Sequence, residues 1–320
     1  MSGTSWTPDA IPDLSGRTAV VTGANSGIGL HTSIELARHG AHVVMAARDP
    51  KRGDDALRRV RAEAVTADRQ PDVQLLALDL ADLASVRAFA ASVTAAHLRL
   101  DLLVNNAGVM ALPRRETTVD GFERQLGTNH LGHFALTGLL LPALLGRASR
   151  VVTVSSLAHR QGRMVFDDLQ SERSYQPWAA YGQSKLANLL FTMELQRRSD
   201  AAGADLVSVA AHPGVSATNL VVAGPGAGRP QWVNRVLDAG SRLVSQSAAA
   251  GAWPTLYAAT EPGVRGAEFF GPGGLGGARG YPTRTVARPP AYDPDLASQL
   301  WQRSSELTGV VYDFAHLPAS

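Results

Sequence analysis

The chain has 320 residues, of which 45% are hydrophobic and 18% charged, and its formal net charge is +2. This composition supplies ample apolar material for a folded core and excludes intrinsic disorder. Basic and acidic residues are interspersed, so the sequence lacks the dense basic stripe that nucleic-acid binding requires. The absence of cysteine excludes disulfides, thiolate catalysis and cysteine-bound metals.

The N-terminal residues carry neither the basic nor the apolar segment of a signal peptide. The most apolar stretch, Leu136 to Leu145, is far shorter than the ~20 residues that a membrane-spanning helix needs, and Pro142 interrupts it. We therefore expect a cytoplasmic protein without a membrane anchor.

Short apolar runs alternate with amphipathic segments from the start of the chain. The pattern predicts strands and helices in strict alternation. The predicted strands are 18–22, 42–46, 73–78, 102–105, 150–155 and 205–210, and the predicted helices are 27–39, 50–67, 83–97, 119–145 and 177–198. Apolar strands separated by helices are typical of an α/β fold, here a doubly wound parallel sheet of Rossmann type with helices on both faces.

No linker-like change in composition divides this pattern, so a single domain is predicted. We place the dinucleotide-binding catalytic domain at 15–312. An N-terminal extension precedes it at 1–14, and a C-terminal tail follows at 313–320.

Two Gly/Pro-rich passages interrupt the later part of the chain. The first, 222–230, leads into a predicted helix at 232–244. We interpret 215–250 as a substrate loop or lid, with a plain surface loop as the alternative. The second passage, 271–280, predicts an ordered loop.

The first predicted strand runs directly into TGANSGIG, residues 22–29. A pyrophosphate is bound by backbone N–H groups at a helix N-terminus, and residues without a Cβ let the backbone approach the anion closely. Gly23, Gly27 and Gly29 have the spacing GxxxGxG. Their position between a strand and a helix predicts a dinucleotide site, and a glycine-rich turn without a ligand is the alternative.

Tyr181 and Lys185 are four residues apart at the start of a predicted helix, so their side chains share one face. An adjacent ammonium lowers the pKa of a phenol from its usual value of about 10, which lets the phenol exchange a proton with an alcohol or ketone. This spacing occurs often by chance. Ser155 and Ser156, however, end the fifth predicted strand, at the edge where open parallel sheets place their active sites. A hydroxyl there can hold a carbonyl oxygen.

Six motifs in this order resemble the short-chain dehydrogenase/reductase family. They are TGANSGIG at 22–29, NNAG at 105–108, Asn129 within TNHLGHF, VSS at 154–156, the Tyr181/Lys185 pair, and HPG at 212–214. The resemblance covers about residues 15 to 310. The LAH after the serines, the SKLAN after the tyrosine and the 25-residue step from Ser156 to Tyr181 resemble the retinol-dehydrogenase-like branch.

The resemblance implies reversible hydride transfer between NAD(P) and a carbonyl or alcohol group. Tyr181 would be the general acid/base, and Lys185 would bind the nicotinamide ribose and lower the tyrosine pKa. Ser156 would orient the substrate oxygen, and Asn129 would help hold a water linked to the lysine. The implied cofactor contacts are Gly23, Asn25, Ser26, Gly27, Ile28, Gly29, Arg48, Asp79, Leu80, Asn106, Ala107, Gly108, Tyr181, Lys185, Pro213, Gly214, Val215 and Thr218.

The end of the second predicted strand bears on the choice of cofactor. A carboxylate there binds the adenosine ribose and selects NAD. The chain has Ala47 at that place and Arg48 next to it, and a guanidinium can bind a 2′-phosphate with two hydrogen bonds. We therefore expect NADP to be preferred, with NAD possible. Asp49 could instead fold toward the ribose, and Ser26 stands where many NADP-preferring relatives have a second basic residue.

The substrate is expected to be a small molecule with an apolar body, because the 222–244 segment is rich in apolar side chains, namely Val222, Trp232, Val233, Val236 and Leu237. A catalytically silent NAD(P)-binding sensor or scaffold is the alternative, although such a protein would need only the glycine turn. His130 and His133 share a helix face, but no third ligand accompanies them, so we predict surface or packing side chains here and no metal. Relatives imply a homo-oligomer formed through the fourth and fifth helices.

Overall fold

The computed structural model describes residues 5–96, 99–145, 148–215 and 246–315. In these ranges a sheet has the strand order β3-β2-β1-β4-β5-β6-β7-β8. Its strands are β1 (Thr18–Thr22), β2 (His42–Ala47), β3 (Val73–Ala77), β4 (Leu102–Asn105), β5 (Ser149–Val154), β6 (Leu206–Ala211), β7 (Phe269–Gly274) and β8 (Arg279–Thr285). Neighbours from β3 to β7 pair in parallel, and β8 is antiparallel to β7. The strand order reverses between β1 and β4, where such sheets form a crevice for ligands.

Helices cover both faces of the sheet. They are α1 (Gly27–Arg38), α2 (Pro50–Glu63), α3 (Leu83–Ala96), α4 (Arg124–Leu126), α5 (Gly132–Leu144), α6 (Pro177–Ala201), α7 (Ala248–Thr260) and α8 (Pro294–Thr308). Side chains of a strand alternate between the two faces. In β1, Val21 joins the core beneath α1 and α7, whereas Val20 joins the core beneath α3, α5 and α6. The predicted doubly wound fold with helices on both faces is therefore confirmed.

The prediction of a helix at 119–145 is wrong for residues 119–123. The helix begins at Arg124, because the Glu123 carboxylate accepts hydrogen bonds from the N–H groups of Gln125 and Leu126 and so caps it. A π-helical turn, Gly127–Leu131, then separates α4 from α5. Such turns often occur at functional sites.

The loop predicted at 271–280 is also wrong, because β7 and β8 form a hairpin there. Phe269 and Phe270 are buried at the start of β7, and this burial holds the glycine-rich continuation in the sheet. Gly271 is needed there because a Cβ would lie 1.9 Å from Nε2 of His212. The predicted helix at 232–244, and residues 216–245 of the predicted lid, lie outside the described residues.

Both ends of the described chain pack on the sheet and its helices. Trp6 meets the ring of Tyr257 edge-to-face at 5.4 Å, and Ile11 is buried in the core beneath α1. At the other end, the Tyr312 hydroxyl donates a hydrogen bond to the carbonyl oxygen of Phe134 at 2.6 Å. The boundaries at 14 and 312 stay predictions. Among the helices in the described ranges, none is long and apolar enough to cross a membrane.

The C-terminal helix α8 packs against α6. Trp301 of α8 stacks on Phe191 of α6 at 5.9 Å between ring centroids, and the Arg198 guanidinium lies 4.6 Å from the Trp301 ring centroid. The chain itself therefore covers part of the helix pair through which assembly was expected. The expected homo-oligomer stays a prediction.

Candidate active site

A cavity of about 420 Å³ opens at the carboxyl ends of β1, β2, β4 and β5. It lies at the point where the strand order reverses, as expected for a ligand site in an open α/β sheet. The predicted site residues that line it are Gly23, Asn25, Ser26, Gly27, Ile28, Arg48, Asp79, Leu80, Asn106, Ala107, Gly108, Tyr181, Lys185 and Pro213.

The glycine turn forms one end of this cavity. Gly23 and Gly27 have φ values of 65° and 56°, a backbone conformation that side chains with a Cβ rarely adopt. Gly29 is not part of the cavity wall. A Cβ on Gly29 would lie 2.4 Å from the carbonyl oxygen of Gly23 and 2.5 Å from Nδ2 of Asn106. The turn therefore exposes the N-terminus of α1 to the cavity, which fits a pyrophosphate.

Basic side chains line the cavity where β2 ends. Arg48 and Arg52 are both part of its wall. Asp49 also lines the cavity, but its carboxylate caps α2 by accepting a hydrogen bond from the N–H of Arg52 at 3.0 Å. Arg52 was missed in the sequence, although it belongs to the basic run RDPKR at 48–52.

Tyr181, Lys185 and the serine pair meet at the other end of the cavity. The Lys185 ammonium lies 5.8 Å from the Tyr181 ring centroid and donates a hydrogen bond to the carbonyl oxygen of Val154 at 3.0 Å. Ser156 does not line the cavity, but its side chain is hydrogen-bonded to Tyr181. Ser155 lines the cavity and donates a hydrogen bond to the carbonyl oxygen of Lys185 at 2.8 Å, which ties α6 to the end of β5.

Burial controls the protonation of this pair. It raises the pKa of Tyr181, and the hydrogen bond with Ser156 acts in the opposite direction. Burial lowers the pKa of Lys185 to about 8. The expected lowering of the tyrosine pKa by the ammonium is thus wrong for this structure, because loss of solvation outweighs other influences on the buried phenol. The phenol therefore carries its proton at neutral pH.

Asn129 lies in the π-helical turn and is fully buried. Its side-chain amide donates hydrogen bonds to the carbonyl oxygen of Val109 and to Oγ of Ser184, both at 2.9 Å. Its Oδ1 accepts the N–H of Val109 at 2.8 Å. A Cβ on Gly108 would lie 3.0 Å from Asn129 Oδ1 and 3.5 Å from Lys185 Nζ, so the amide and the ammonium flank this glycine.

A second polar network links the glycine turn to this π-helical turn. His133 Nδ1 donates to the carbonyl oxygen of Asn129, and its Nε2 accepts from the Thr22 hydroxyl, both at 2.9 Å. The same hydroxyl oxygen accepts the N–H groups of Asn106 at 2.9 Å and Ala107 at 3.0 Å. No pattern in the sequence pairs Thr22 with His133. Since His130 and His133 are both buried, the prediction of packing side chains holds and that of surface side chains does not.

Three described residues among the predicted cofactor contacts are not brought to the cavity wall: Gly29, Gly214 and Val215. Gly214 and Val215 follow Pro213, which does line the cavity. Val215 donates its N–H to the carbonyl oxygen of Ala278 and is partly exposed. Thr218 lies outside the described residues. Within the described ranges, no cluster of three potential metal-ligating side chains occurs.

Comparison with known proteins identifies the family. A family model described as short chain dehydrogenase matches residues 17–224. Polyprenol dehydrogenase from Mus musculus is 46% identical over 310 residues, which cover 94% of this chain and 87% of the relative. Retinol dehydrogenase 14 from Homo sapiens is 40% identical over 308 residues, or 92% of this chain and 87% of the relative.

Solved structures agree with this similarity. An uncharacterized protein from Mycobacterium Paratuberculosis has a TM-score of 0.79 and 45% identity, over 97% of this chain and 100% of that one. A short chain dehydrogenase from Shigella flexneri complexed with NADP has a TM-score of 0.59 and 25% identity, over 78% of this chain and 93% of that one. The chain therefore belongs to the short-chain dehydrogenase/reductase family, in its retinol-dehydrogenase-like branch, and is an NAD(P)-dependent dehydrogenase that acts on CH–OH or C=O groups.

Proposed function

We propose that this dehydrogenase transfers a hydride between NADP(H) and an apolar carbonyl or alcohol substrate, with Tyr181 as the general acid/base. The observation that carries the proposal is that Tyr181 and Lys185 line one end of the cavity whose other end is the glycine turn, with Ser156 hydrogen-bonded to Tyr181. When bound, the nicotinamide supplies or accepts the hydride. The glycine turn would hold its pyrophosphate, and Lys185 its ribose.

The chain's own residues handle the proton and the substrate oxygen. In the direction of reduction, the Tyr181 phenol gives its proton to the carbonyl oxygen, for which its raised pKa keeps the proton available. The Ser156 hydroxyl, which is hydrogen-bonded to the phenol, holds the same oxygen in place. The Lys185 ammonium then stabilises the phenolate that remains, and Asn129 fixes the backbone beside it.

A preference for NADP is supported by the arrangement at the end of β2. Arg48 and Arg52 supply two guanidinium groups to the cavity wall. The Asp49 carboxylate, which could have repelled a 2′-phosphate, is engaged in capping α2. Many NADP-preferring relatives have a second basic residue where this chain has Ser26. Here Arg52 would supply that second positive charge to the 2′-phosphate.

An apolar substrate is supported by the side chains around Tyr181. Trp178 lies one helical turn before Tyr181, meets its ring edge-to-face at 6.0 Å and is 51% exposed. Val109 and Met110 add apolar wall to the cavity. The similarity to polyprenol and retinol dehydrogenases points in the same direction, toward a long apolar alcohol or its aldehyde.

The test is a steady-state assay with both nicotinamides against a panel of polyprenols, retinoids, hydrophobic ketones and small charged carbonyl compounds. We expect turnover of the hydrophobic members. Tyr181→Phe should keep cofactor binding and lose about 10²- to 10⁴-fold in kcat, as is typical when a general acid/base is removed.

Tyr257→Phe is the matched control, because Tyr257 lies on α7 outside the cavity lining. It should leave kcat unchanged. Turnover of Tyr181→Phe within a few-fold of the wild type would refute the assigned role. A clear preference for small charged substrates would refute the apolar pocket.

A further inference from the structure

A second cavity, of about 370 Å³, is lined by residues 159–163, which follow Ser156 in the chain, and by Leu186, Arg288 and Pro290. Its wall includes three arginines, Arg160, Arg163 and Arg288, together with His159 and Leu186. We call it the arginine pocket. None of its lining residues belongs to the cofactor cavity, so the two sites are distinct.

Among the described residues, the arginine pocket has no neutralising carboxylate. No described Asp or Glu lines it, and none of its three arginines forms an ion pair with another described residue. Some arginines elsewhere are paired, as where Arg197 and Arg198 both contact the Glu194 carboxylate at 2.6 and 2.7 Å. Arg160 and Arg288 both lie near His159. Burial is the main cause of the lowered pKa of His159, and the positive charges of the two arginines lower this pKa further.

Most guanidinium N–H groups in this pocket have no hydrogen-bond acceptor among the described residues. Each arginine has five donors. Within the described chain, Arg288 donates one hydrogen bond to the carbonyl oxygen of Arg160, and Arg160 donates one to the carbonyl oxygen of Gly276 at 3.5 Å. His159 anchors this wall to the catalytic segment, because its Nδ1 donates to the carbonyl oxygen of Ser156 at 2.6 Å.

We propose that the arginine pocket is a binding site for a phosphoryl group. Guanidinium groups match phosphate oxygens with paired hydrogen bonds, and several unpaired arginines around one concave space favour a multiply charged anion. The volume accommodates a phosphate or diphosphate group. The ligand carries this group either as a free phosphate compound or as the headgroup of an anionic lipid.

The arginine pocket lies next to the segments that carry Ser156 and Lys185. His159 is bonded to the carbonyl of Ser156, and Leu186 directly follows Lys185. An anion bound there would contact the segment that positions the catalytic serine. The proposal does not rest on the chemistry of the cofactor cavity, because it follows from the charges of a separate pocket.

The test uses the full chain saturated with NADPH, so that added phosphate compounds cannot occupy the glycine turn. Pyrophosphate is titrated by calorimetry at constant ionic strength, and vesicles of phosphatidylcholine with or without phosphatidic acid are tested by co-sedimentation. The variants are Arg163→Gln and the double variant Arg160→Gln/Arg288→Gln. Arg265→Gln is the control, because it removes the same charge at an exposed position outside the pocket.

We expect pyrophosphate to bind the wild type and the control equally, and the pocket variants to bind about tenfold or more weakly, as for loss of a charge-assisted hydrogen bond. Binding to phosphatidic acid vesicles with the same variant dependence would assign the group to a lipid headgroup. Pyrophosphate binding without vesicle binding would assign it to a soluble ligand. Absence of binding, or equal binding by all variants (an adventitious ion only), would overturn the proposal. NADPH affinity, measured separately, reports on the proposed function alone.

Discussion

The two buried histidines of the π-helical region predict that the folded state loses stability in mild acid. His130 and His133 are fully buried. Burial lowers the pKa of His130 to about 3 and that of His133 to about 4, from the usual 6.5. His130 lies between the rings of Phe134 and Phe191, at 6.2 and 6.1 Å between centroids, so a charge there would be poorly solvated.

The direction follows from the order of the pKa values. The unfolded chain takes up protons on these histidines below pH 6.5, whereas the folded state does so only near pH 3 to 4. Their contribution to stability is therefore complete above pH 6.5 and is lost progressively as the pH falls. At pH 5 the loss is about 2 kcal/mol for each histidine, or about 4 kcal/mol for both. This is a large part of the roughly 5–15 kcal/mol that stabilises a typical domain.

The assay is urea unfolding followed by tryptophan fluorescence at intervals between pH 7.5 and pH 5. The free energy of unfolding of the wild type should fall steeply below pH 6.5. His130→Gln removes one titrating group, so its slope should be smaller by up to about 1.4 kcal/mol per pH unit, whatever its absolute stability. Equal slopes for the variant and the wild type would refute the reasoning.

Two further outcomes are expected in the cofactor cavity. Arg48→Ala should weaken NADPH binding about tenfold or more and leave NADH binding almost unchanged, because charge-assisted hydrogen bonds contribute about 1.5–3 kcal/mol each; equal losses for both cofactors in parallel titrations would contradict this. Gly29→Ala should destabilise the fold by about 1–3 kcal/mol and weaken both cofactors, since its Cβ would press on Gly23 and Asn106. Gly263→Ala, whose Cβ would meet nothing within 4 Å, is its control in thermal unfolding and cofactor titration.

Local sequence patterns were sufficient for the alternating strands and helices, the glycine turn and the Tyr181/Lys185 pair. Each of these depends on a short run of residues. Strands and helices follow from apolar residues at period 2 or 3.6, the glycine turn from the lack of Cβ atoms, and the Tyr181/Lys185 pair from a four-residue spacing on one helix face. Because strand ends in a parallel sheet meet at one edge, the order of the motifs also placed Ser156 near Tyr181. Local patterns failed at β7 and β8, where a glycine- and proline-rich run is held in the sheet by its neighbours.

Only the tertiary structure decided which distant groups meet and which charges remain unpaired. It joined Thr22 to His133 across 111 positions. It also brought Arg288 beside the 160–163 segment, which created the arginine pocket. The same folding buried Tyr181 enough to raise its pKa, opposite to what the adjacent lysine alone implied. Burial and pairing are properties of the whole packed chain, so the solvation of a group cannot be read from its neighbours in sequence.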